Sequence, residues 1–171
     1  MPRYEKIGIV HHGLLADAGE LANDLTLKYA DGHSWWLATQ DTLDECEDDL
    51  KTTDLIITIG GDGTILRVVR LAAPYSVPIL GINLGRVGFM AELTVDQAPS
   101  EIPGYLHGNS RVEERMMLQA SVTSPGDAEP RLVVHALNDV VVTRGAEVRL
   151  LDIETRIDDV LLITYRADGV I

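Results

Sequence analysis

The sequence contains a single cysteine among its 171 residues, so it cannot form an internal disulfide. Cys46 is flanked by the acidic residues Glu45, Glu47 and Asp48. Acidic neighbours disfavour a thiolate, so Cys46 is interpreted as a bystander thiol and not as a nucleophile. Together with the absence of a disulfide framework, this favours a cytoplasmic protein in a reducing compartment.

Long apolar runs are also lacking. No stretch approaches the ~20 apolar residues that a membrane span needs, although 46% of the residues are hydrophobic. Residues 1–6 are polar and no apolar segment of signal-peptide type follows a basic start. We therefore expect no membrane association and no secretion signal.

Basic residues are scarce: 14 Lys and Arg stand against 27 Asp and Glu, for a formal net charge of −13. Such a surface repels nucleic acid and anionic lipid, which excludes nucleic acid as a partner. A phosphorylated ligand would need backbone donors, a few placed arginines or a divalent metal. The acidic run at residues 41–49 is typical of a solvated helix face or loop, and a calcium site is the weaker alternative because the EF-hand spacing and its glycine are absent.

Strands and helices alternate in the first part of the chain, which predicts a parallel sheet. A short helix is also expected within the acidic run. The predicted strands are residues 7–10, 34–39, 55–59 and 78–82, and the predicted helices are residues 14–25 and 65–71.

The second part of the chain shows strand patterns without helices. Hairpin signals and alternating apolar residues from residue 111 onward predict antiparallel strands. The expected organisation is an α/β domain over residues 1–97 and an antiparallel β domain over 98–171, with a connector near 96–108 that holds at most a short helix. The predicted strands are residues 116–123, 132–136, 138–143, 151–157 and 160–165.

The strongest buried strand runs directly into a Gly-Gly-Asp-Gly-Thr segment, here called the glycine loop (residues 60–64). Glycines let backbone N–H groups approach a phosphate at a helix N-terminus, although a plain tight turn is the alternative. The loop lacks the lysine of a P-loop, and Leu66 stands where the dinucleotide fingerprint has its third glycine. Asp62, at the carboxyl end of a parallel strand, would face a ligand crevice and accept a hydrogen bond from a hydroxyl. A carboxylate is a weak base, but phosphoryl transfer depends mostly on positioning and charge neutralisation.

Four segments in order resemble the hallmark motifs of bacterial NAD kinases. The first is shared in variant form with diacylglycerol kinases, sphingosine kinases and phosphofructokinases, whereas the second discriminates against the lipid kinases. This resemblance implies a Rossmann-like α/β domain followed by a β domain that is a β-sandwich in the family. The segments are the glycine loop, Gly-Ile-Asn-Leu-Gly-Arg-Val-Gly-Phe-Met at 81–90, Leu-Asn-Asp-Val-Val at 137–141 and Arg-Ala-Asp-Gly at 166–169.

The resemblance implies transfer of the γ-phosphoryl of ATP, with polyphosphate as an alternative donor, to the adenosine-ribose 2′-hydroxyl of NAD, making NADP. Asp62 matches the catalytic base, Gly63 a backbone contact to NAD, and Arg67 an NAD-contacting position. Asn138 and Asp139 match a polar pair that binds NAD through its ribose hydroxyls. The resemblance further implies Mg²⁺ bridging the donor phosphates, with no metal ligand assigned in this chain, and a homo-oligomer, dimer or tetramer.

Four more positions follow from the same resemblance. Arg149 and Arg166 would contact NAD as cations, Asp168 would hold the nicotinamide side, and Phe89 would stack near the adenine. The alternatives are a core position for Phe89, surface positions on strands for the two arginines, and a strand cap for the 138–139 pair. The adjacent histidines at 11–12 are interpreted as a turn, since no third ligand has zinc-like spacing.

The chain ends on an apolar segment directly after a turn, at residues 169–171. In the family a Thr-Gly-Ser-Thr-Ala-Tyr segment follows at this point and forms much of the dinucleotide pocket. We therefore expect a chain truncated within its β domain, with little or no turnover by itself. Two alternative functions stay open: a dinucleotide-binding fragment without a completed site, and a lipid or sugar kinase of the same superfamily.

Overall fold

The computed structural model describes residues 4–85, 88–146 and 149–171. It divides into two compact units, one up to Glu114 and one from Arg115 onward. The helices are α1 (Ala16–Lys28), α2 (Glu47–Leu50), α3 (Asp62–Ala72) and α4 (Ala98–Leu106), with 3-10 turns at Leu43–Glu45 and Ala73–Tyr75. The strands are β1 (Lys6–His11), β2 (Ser34–Thr39), β3 (Leu55–Gly60), β4 (Ile79–Asn83), β5 (Leu93–Thr94), β6 (Leu118–Val122), β7 (Leu132–Ala136), β8 (Val142–Thr143), β9 (Leu151–Ile157), β10 (Val160–Ala167) and β11 (Gly169–Val170).

The first unit is built on a five-stranded parallel sheet in the order β2-β1-β3-β4-β5. Every residue of β3 is buried, because this β-branched, apolar strand is central and has helices on both of its faces. One face packs against α1 and α4, and the other packs against α2 and α3. The predicted parallel α/β arrangement is confirmed.

Helix α4 differs from the expected connector. It is nine residues long and contains Pro103. Ala98, Ile102 and Leu106 are spaced by four residues, so they share one helix face and are buried in the core of the first unit. The predicted domain boundary at 97/98 precedes this helix, whereas the compact unit extends to Glu114. The proline and glycine residues of this stretch concealed the apolar spacing.

The second unit consists of antiparallel pairs: β6 with β7, β9 with β10, and β8 with β11. The expected strand over 138–143 is shorter, since only Val142–Thr143 is a strand. Asp158 and Asp159 have positive φ values of 49° and 65°, which form the tight turn between β9 and β10. Gly169 lies against the backbone oxygen of Val142, so any side chain at position 169 would overlap this neighbouring strand.

Within the described part of the chain, no helix is long and apolar enough to cross a membrane.

Candidate functional site

The candidate site lies at the carboxyl ends of β1, β2 and β3. Strand β2 lies on one side of β1, and β3 lies on the other side. The direction in which successive strands are added therefore reverses between β1 and β3. Ligands of open α/β sheets bind in the crevice at such a point. An open pocket of about 520 Å³ occupies this position. It is lined by His12, Gln40, Asp41, Gly61, Gly63, Thr64 and Arg67.

The glycine loop connects β3 to α3, and its glycines differ in what they do. A side chain at Gly60 would overlap the Thr64 side chain, so Gly60 is required by packing. A Cβ at Gly61 or Gly63 would meet no atom of the described chain within 4 Å. Gly61 has φ −112°, which any residue adopts. Neither the packing nor the turn geometry therefore requires glycine at positions 61 and 63. If the glycine loop were only a tight turn, these two glycines would have no explanation.

Asp62 begins α3 and is held by a second loop. The backbone N–H of Phe89 donates to Asp62 Oδ2 at 3.1 Å, and that of Met90 donates to Oδ1 at 3.3 Å. A side chain at Gly88 would overlap the same carboxylate. The half-buried carboxylate is thus oriented by the 88–90 loop, and the described residues leave two of its roughly four lone-pair sites for another donor.

Arg67, further along α3, lines the pocket, whereas the carboxylate of Asp62 contacts the 88–90 loop and is not among the residues that line it. Its Nε donates to the backbone oxygen of Gln40 at 3.3 Å, and its Nη2 forms an ion pair with Asp44. Asp44 belongs to the acidic run, so part of this run anchors a site residue and does not serve only as a solvated face.

Phe89 is 98% exposed. The alternative of a core position for this residue is therefore wrong. Its backbone N–H contacts Asp62, while its ring faces solvent.

The predicted site residues of the second unit are all exposed. Asn138 and Asp139 follow β7 in an irregular segment, where they do not begin the predicted strand. Arg149 lies in a bend outside any strand, so the alternative of a surface position on a strand is wrong for it. Arg166 lies on strand β10 and is exposed, which agrees with the alternative of a surface position on a strand.

Two of these residues have charged partners that sequence reasoning missed. Arg166 Nε donates to Asp152 Oδ1 at 2.6 Å across the β9–β10 pair. The hydrogen bond and the charge of Arg166 lower the pKa of the exposed Asp152 carboxyl below its ordinary value. Asp168 Oδ1 lies 2.7 Å from Arg144 Nε, and Arg144 N donates to the Asp168 carbonyl at 3.0 Å. The β9 alternation placed Asp152 on a wet face, but no sequence signal paired it with Arg166.

In the first unit the structure places Gly63 and Arg67 in the pocket and joins the carboxylate of Asp62 to the backbone of Phe89, and it places the other predicted residues in the second unit. Sequence reasoning missed His12, Gln40 and Asp41 as pocket residues. The signal was available, because these residues directly follow β1 and β2, and the carboxyl ends of parallel strands share one edge.

Metal ligands are not clustered in the described residues: none of their His, Cys, Asp and Glu side chains form a group of three or more that could hold an ion. His12 Nδ1 accepts the Leu14 N–H at 3.3 Å, which closes the turn predicted for the two histidines.

Comparisons with known proteins identify the family to which this α/β unit is similar. The model of the ATP-NAD kinase N-terminal domain matches residues 14–110. A NAD kinase of Heliobacterium modesticaldum is 44% identical over 127 residues, covering 74% of this chain and 44% of the relative. A NAD kinase of Dehalococcoides mccartyi is 38% identical over 169 residues, covering 98% of this chain and 59% of the relative. The chain thus spans about half the length of these curated relatives.

Among solved structures, the crystal structure of yeast NADH kinase complexed with NADH matches with a TM-score of 0.80 at 21% identity. The match covers 96% of this chain and 56% of that chain. Because the identity is low, the match shows only that the two chains share a fold. The α/β fold, the glycine loop and the family model, which covers more than half of the sequence, lead to one assignment: the chain belongs to the NAD kinase family.

Proposed function

We propose that the protein containing this chain is a NAD kinase, which transfers the γ-phosphoryl of ATP to the adenosine-ribose 2′-hydroxyl of NAD and forms NADP. The observation that carries the proposal is the fixed Asp62 carboxylate next to two glycines that neither packing nor backbone geometry requires. Membership in the family supplies the substrate class.

Asp62 acts as the general base in this proposal. The 88–90 loop fixes the carboxylate with two N–H donors, and the remaining lone pairs accept the 2′-hydroxyl. As the γ-phosphoryl arrives, the hydroxyl proton passes to Asp62, the new P–O bond forms, and the bond to the β-phosphate oxygen breaks with ADP as the leaving group. Positioning of the hydroxyl, and not strong basicity, is the main contribution of Asp62.

Phosphate binding relies on local groups because the whole chain is acidic, with a net charge of −13. Gly61 and Gly63 leave the first turn of α3 open to close approach by a phosphate, and the positive end of the helix dipole lies there. Arg67 adds a guanidinium to the same pocket. Polyphosphate offers the same chemical groups and remains the alternative donor.

Mg²⁺ fits this site only as an ion that takes most of its ligands from the nucleotide and water. The described residues offer no cluster of three ligands, and Asp41 is the carboxylate that lines the pocket. Such coordination is typical of Mg²⁺ with nucleotides, where one or two carboxylates suffice. When bound, the ion neutralises phosphate charge, and Asp41 would hold it.

The second unit would bind NAD. Asn138 and Asp139 offer an amide and a carboxylate suited to vicinal ribose hydroxyls, and both are exposed. Arg166 and Asp168 would meet the ligand as members of ion pairs, which fix their orientation. Arg149 is exposed and available for contacts to NAD, and so is the ring of Phe89 in the first unit.

We further propose that the protein self-associates in the cytoplasm. Four consecutive residues of β10, at 160–163, are apolar and between 50% and 69% exposed. A contiguous apolar strand of this kind requires a covering surface, which the additional length of the β domain in longer relatives or a second copy would supply. The proposed state is a homo-oligomer, dimer or tetramer.

Of the two alternatives, a lipid kinase is disfavoured by the match to the NAD kinase model and by the acidic charge, which repels an anionic membrane. A dinucleotide-binding fragment without turnover is an alternative for the 171-residue chain alone. Binding of NAD without phosphorylation would identify it.

The test is a coupled assay of NADP formation by the full product of the gene and by the 171-residue chain, with ATP and with polyphosphate. The position of the new phosphate is read by ³¹P NMR of the product. We expect 2′-phosphorylated NAD from the full product. Absence of NADP with both donors and Mg²⁺ present would contradict the proposal.

A further inference from the structure

We propose that Gln40 is a positioning residue for Asp62, acting through Thr64. The inference deepens the proposed function and rests on it for its kinetic consequences, while its structural part can be tested without any kinase activity.

Gln40 connects two strands to the first turns of α3. It directly follows β2, and its own N–H donates to the backbone oxygen of His11 at 2.9 Å, at the end of β1. Its side-chain Oε1 accepts the Thr64 hydroxyl at 3.0 Å, and its backbone oxygen accepts Arg67 Nε at 3.3 Å. One residue thus fixes two side chains of α3 relative to the sheet.

Thr64 has little freedom to choose another partner. It is 2% exposed, and its side chain lies against Gly60, where no Cβ would fit. A buried hydroxyl that loses its acceptor is left unsatisfied, so the turn must shift to reach another one. The hydrogen bond to Gln40 therefore contributes to the position of this turn of α3, together with the backbone hydrogen bonds to Gly61.

The position of Thr64 determines that of Asp62, because the two residues share the first helical turn. The N–H groups of Thr64 and Ile65 both donate to the Gly61 oxygen, at 3.0 and 3.3 Å. On its other side Asp62 is held by the 88–90 loop, through the N–H groups of Phe89 and Met90. Displacement of the turn would move the carboxylate away from the hydroxyl it activates, and errors below 1 Å lower rates strongly.

The first arm of the test is hydrogen exchange on the chain without ligand. Gln40→Ala and Thr64→Val should each accelerate exchange of the Thr64 and Ile65 amides about tenfold, because the turn opens more often. Exchange in β9 and β10 should not change. Gln40→Glu retains a side-chain acceptor oxygen at the same distance from the backbone, so both amides should exchange as slowly as in the wild-type chain.

Gln97→Ala is the matched control. Gln97 Oε1 also accepts a threonine hydroxyl, that of Thr94, at 3.1 Å, but this pair lies at the start of α4 and outside the pocket. It should leave both exchange at residues 64–65 and kcat unchanged.

The second arm measures kinetics in the full product of the gene. Gln40→Ala should lower kcat about tenfold with little change in KM for NAD, and the double variant with Thr64→Val should be no slower than the worse single variant. Unchanged exchange at residues 64–65 in Gln40→Ala, or losses of kcat that multiply in the double variant, would overturn the inference. If the wild-type protein makes no NADP, the proposed function fails, and the exchange arm alone decides the role of Gln40.

Discussion

Gly88 lies directly against the carboxylate of Asp62, so closely that a side chain at position 88 would overlap both carboxylate oxygens. The next two residues of the loop donate their N–H groups to the same oxygens. Gly88 therefore permits the close approach that lets the loop orient the carboxylate. Two motifs that lie apart in the sequence form one element of the site.

This contact predicts that Gly88→Ala disables the site more than it destabilises the fold. The added methyl group displaces either Asp62 or the 88–90 loop, at a cost of about 1–3 kcal/mol in the free energy of unfolding. Since Asp62 loses its orientation, kcat for NADP formation should fall at least about tenfold. Urea unfolding and steady-state kinetics measure the two effects.

Gly104→Ala is the control for this substitution. Gly104 lies within α4, and a Cβ there meets no described atom within 4 Å. Alanine should keep kcat and leave the fold equally or more stable, because alanine favours the helix. Equal kinetics for the two glycine variants would argue against the orienting role of Gly88.

Gly61→Ala should have the opposite pattern, with an intact fold and poor ligand binding. Position 61 has room for a methyl group and a φ that alanine adopts, but it is the N-cap of α3, where glycine is preferred to alanine, so the free energy of unfolding should fall by no more than about 1 kcal/mol. The methyl group would stand where a phosphate approaches the backbone, and KM for ATP should rise about tenfold or more. A variant with wild-type KM would show that the glycine is not kept for the ligand.

Much of this arrangement could be predicted from the sequence. The buried β-branched run of β3, followed by the glycine loop, placed Asp62 at the carboxyl end of a central strand. Apolar spacing also predicted α1 and α3, although α3 begins earlier than expected, at Asp62, because the Asp-Gly-Thr segment forms its first turn.

Other features depend on contacts between distant residues, which spacing does not reveal. The hydrogen bond between Gln40 and Thr64 and the contact between Gly88 and Asp62 are of this kind. Helix α4 was missed because the prolines and glycine of its segment are typical of loops, while its stability comes from burial of Ile102 and Leu106 in the core.

The Asp152–Arg166 pair predicts a local pH dependence. Arg166 lowers the pKa of Asp152, so the pair contributes stability above the pKa that Asp152 has in the unfolded chain. This contribution is lost as the pH falls through the lower pKa of the folded state. In Arg166→Ala the pKa of Asp152 should rise toward the ordinary aspartate value, as measured by NMR titration of the side-chain carboxyl.

Arg156→Ala is the matched control for that titration. Arg156 lies on the same hairpin but pairs with Glu154 at 2.6 Å. Removal of the Arg156 side chain should leave the pKa of Asp152 unchanged. If both arginine variants raise the pKa of Asp152 equally, that pKa depends on the overall charge of the hairpin and not on the ion pair with Arg166.

Cys46 should react slowly with alkylating reagents. Burial, followed by the charges of Asp49 and Glu45, raises the pKa of its thiol, so less thiolate is present at pH 8 than in a free cysteine. Alkylation by iodoacetamide in the folded chain should be at least about threefold slower than in the chain unfolded in urea. Equal rates in both states would contradict this interpretation.

The central claim, that Asp62 is the general base of a NAD kinase, is tested most directly by kcat for NADP formation in Asp62→Asn of the full gene product. Asparagine keeps the shape of the side chain but cannot take the proton, and its amide nitrogen cannot accept the second N–H group of the 88–90 loop. Asp54→Asn is the control for the loss of a carboxylate that accepts backbone N–H groups, since Oδ2 of Asp54 accepts two of them, at 2.8 and 2.9 Å, at the start of β1 and on no residue of the proposed site. We predict a loss of kcat of about 100-fold or more in Asp62→Asn and wild-type kcat in Asp54→Asn. Wild-type kcat in Asp62→Asn would contradict the account.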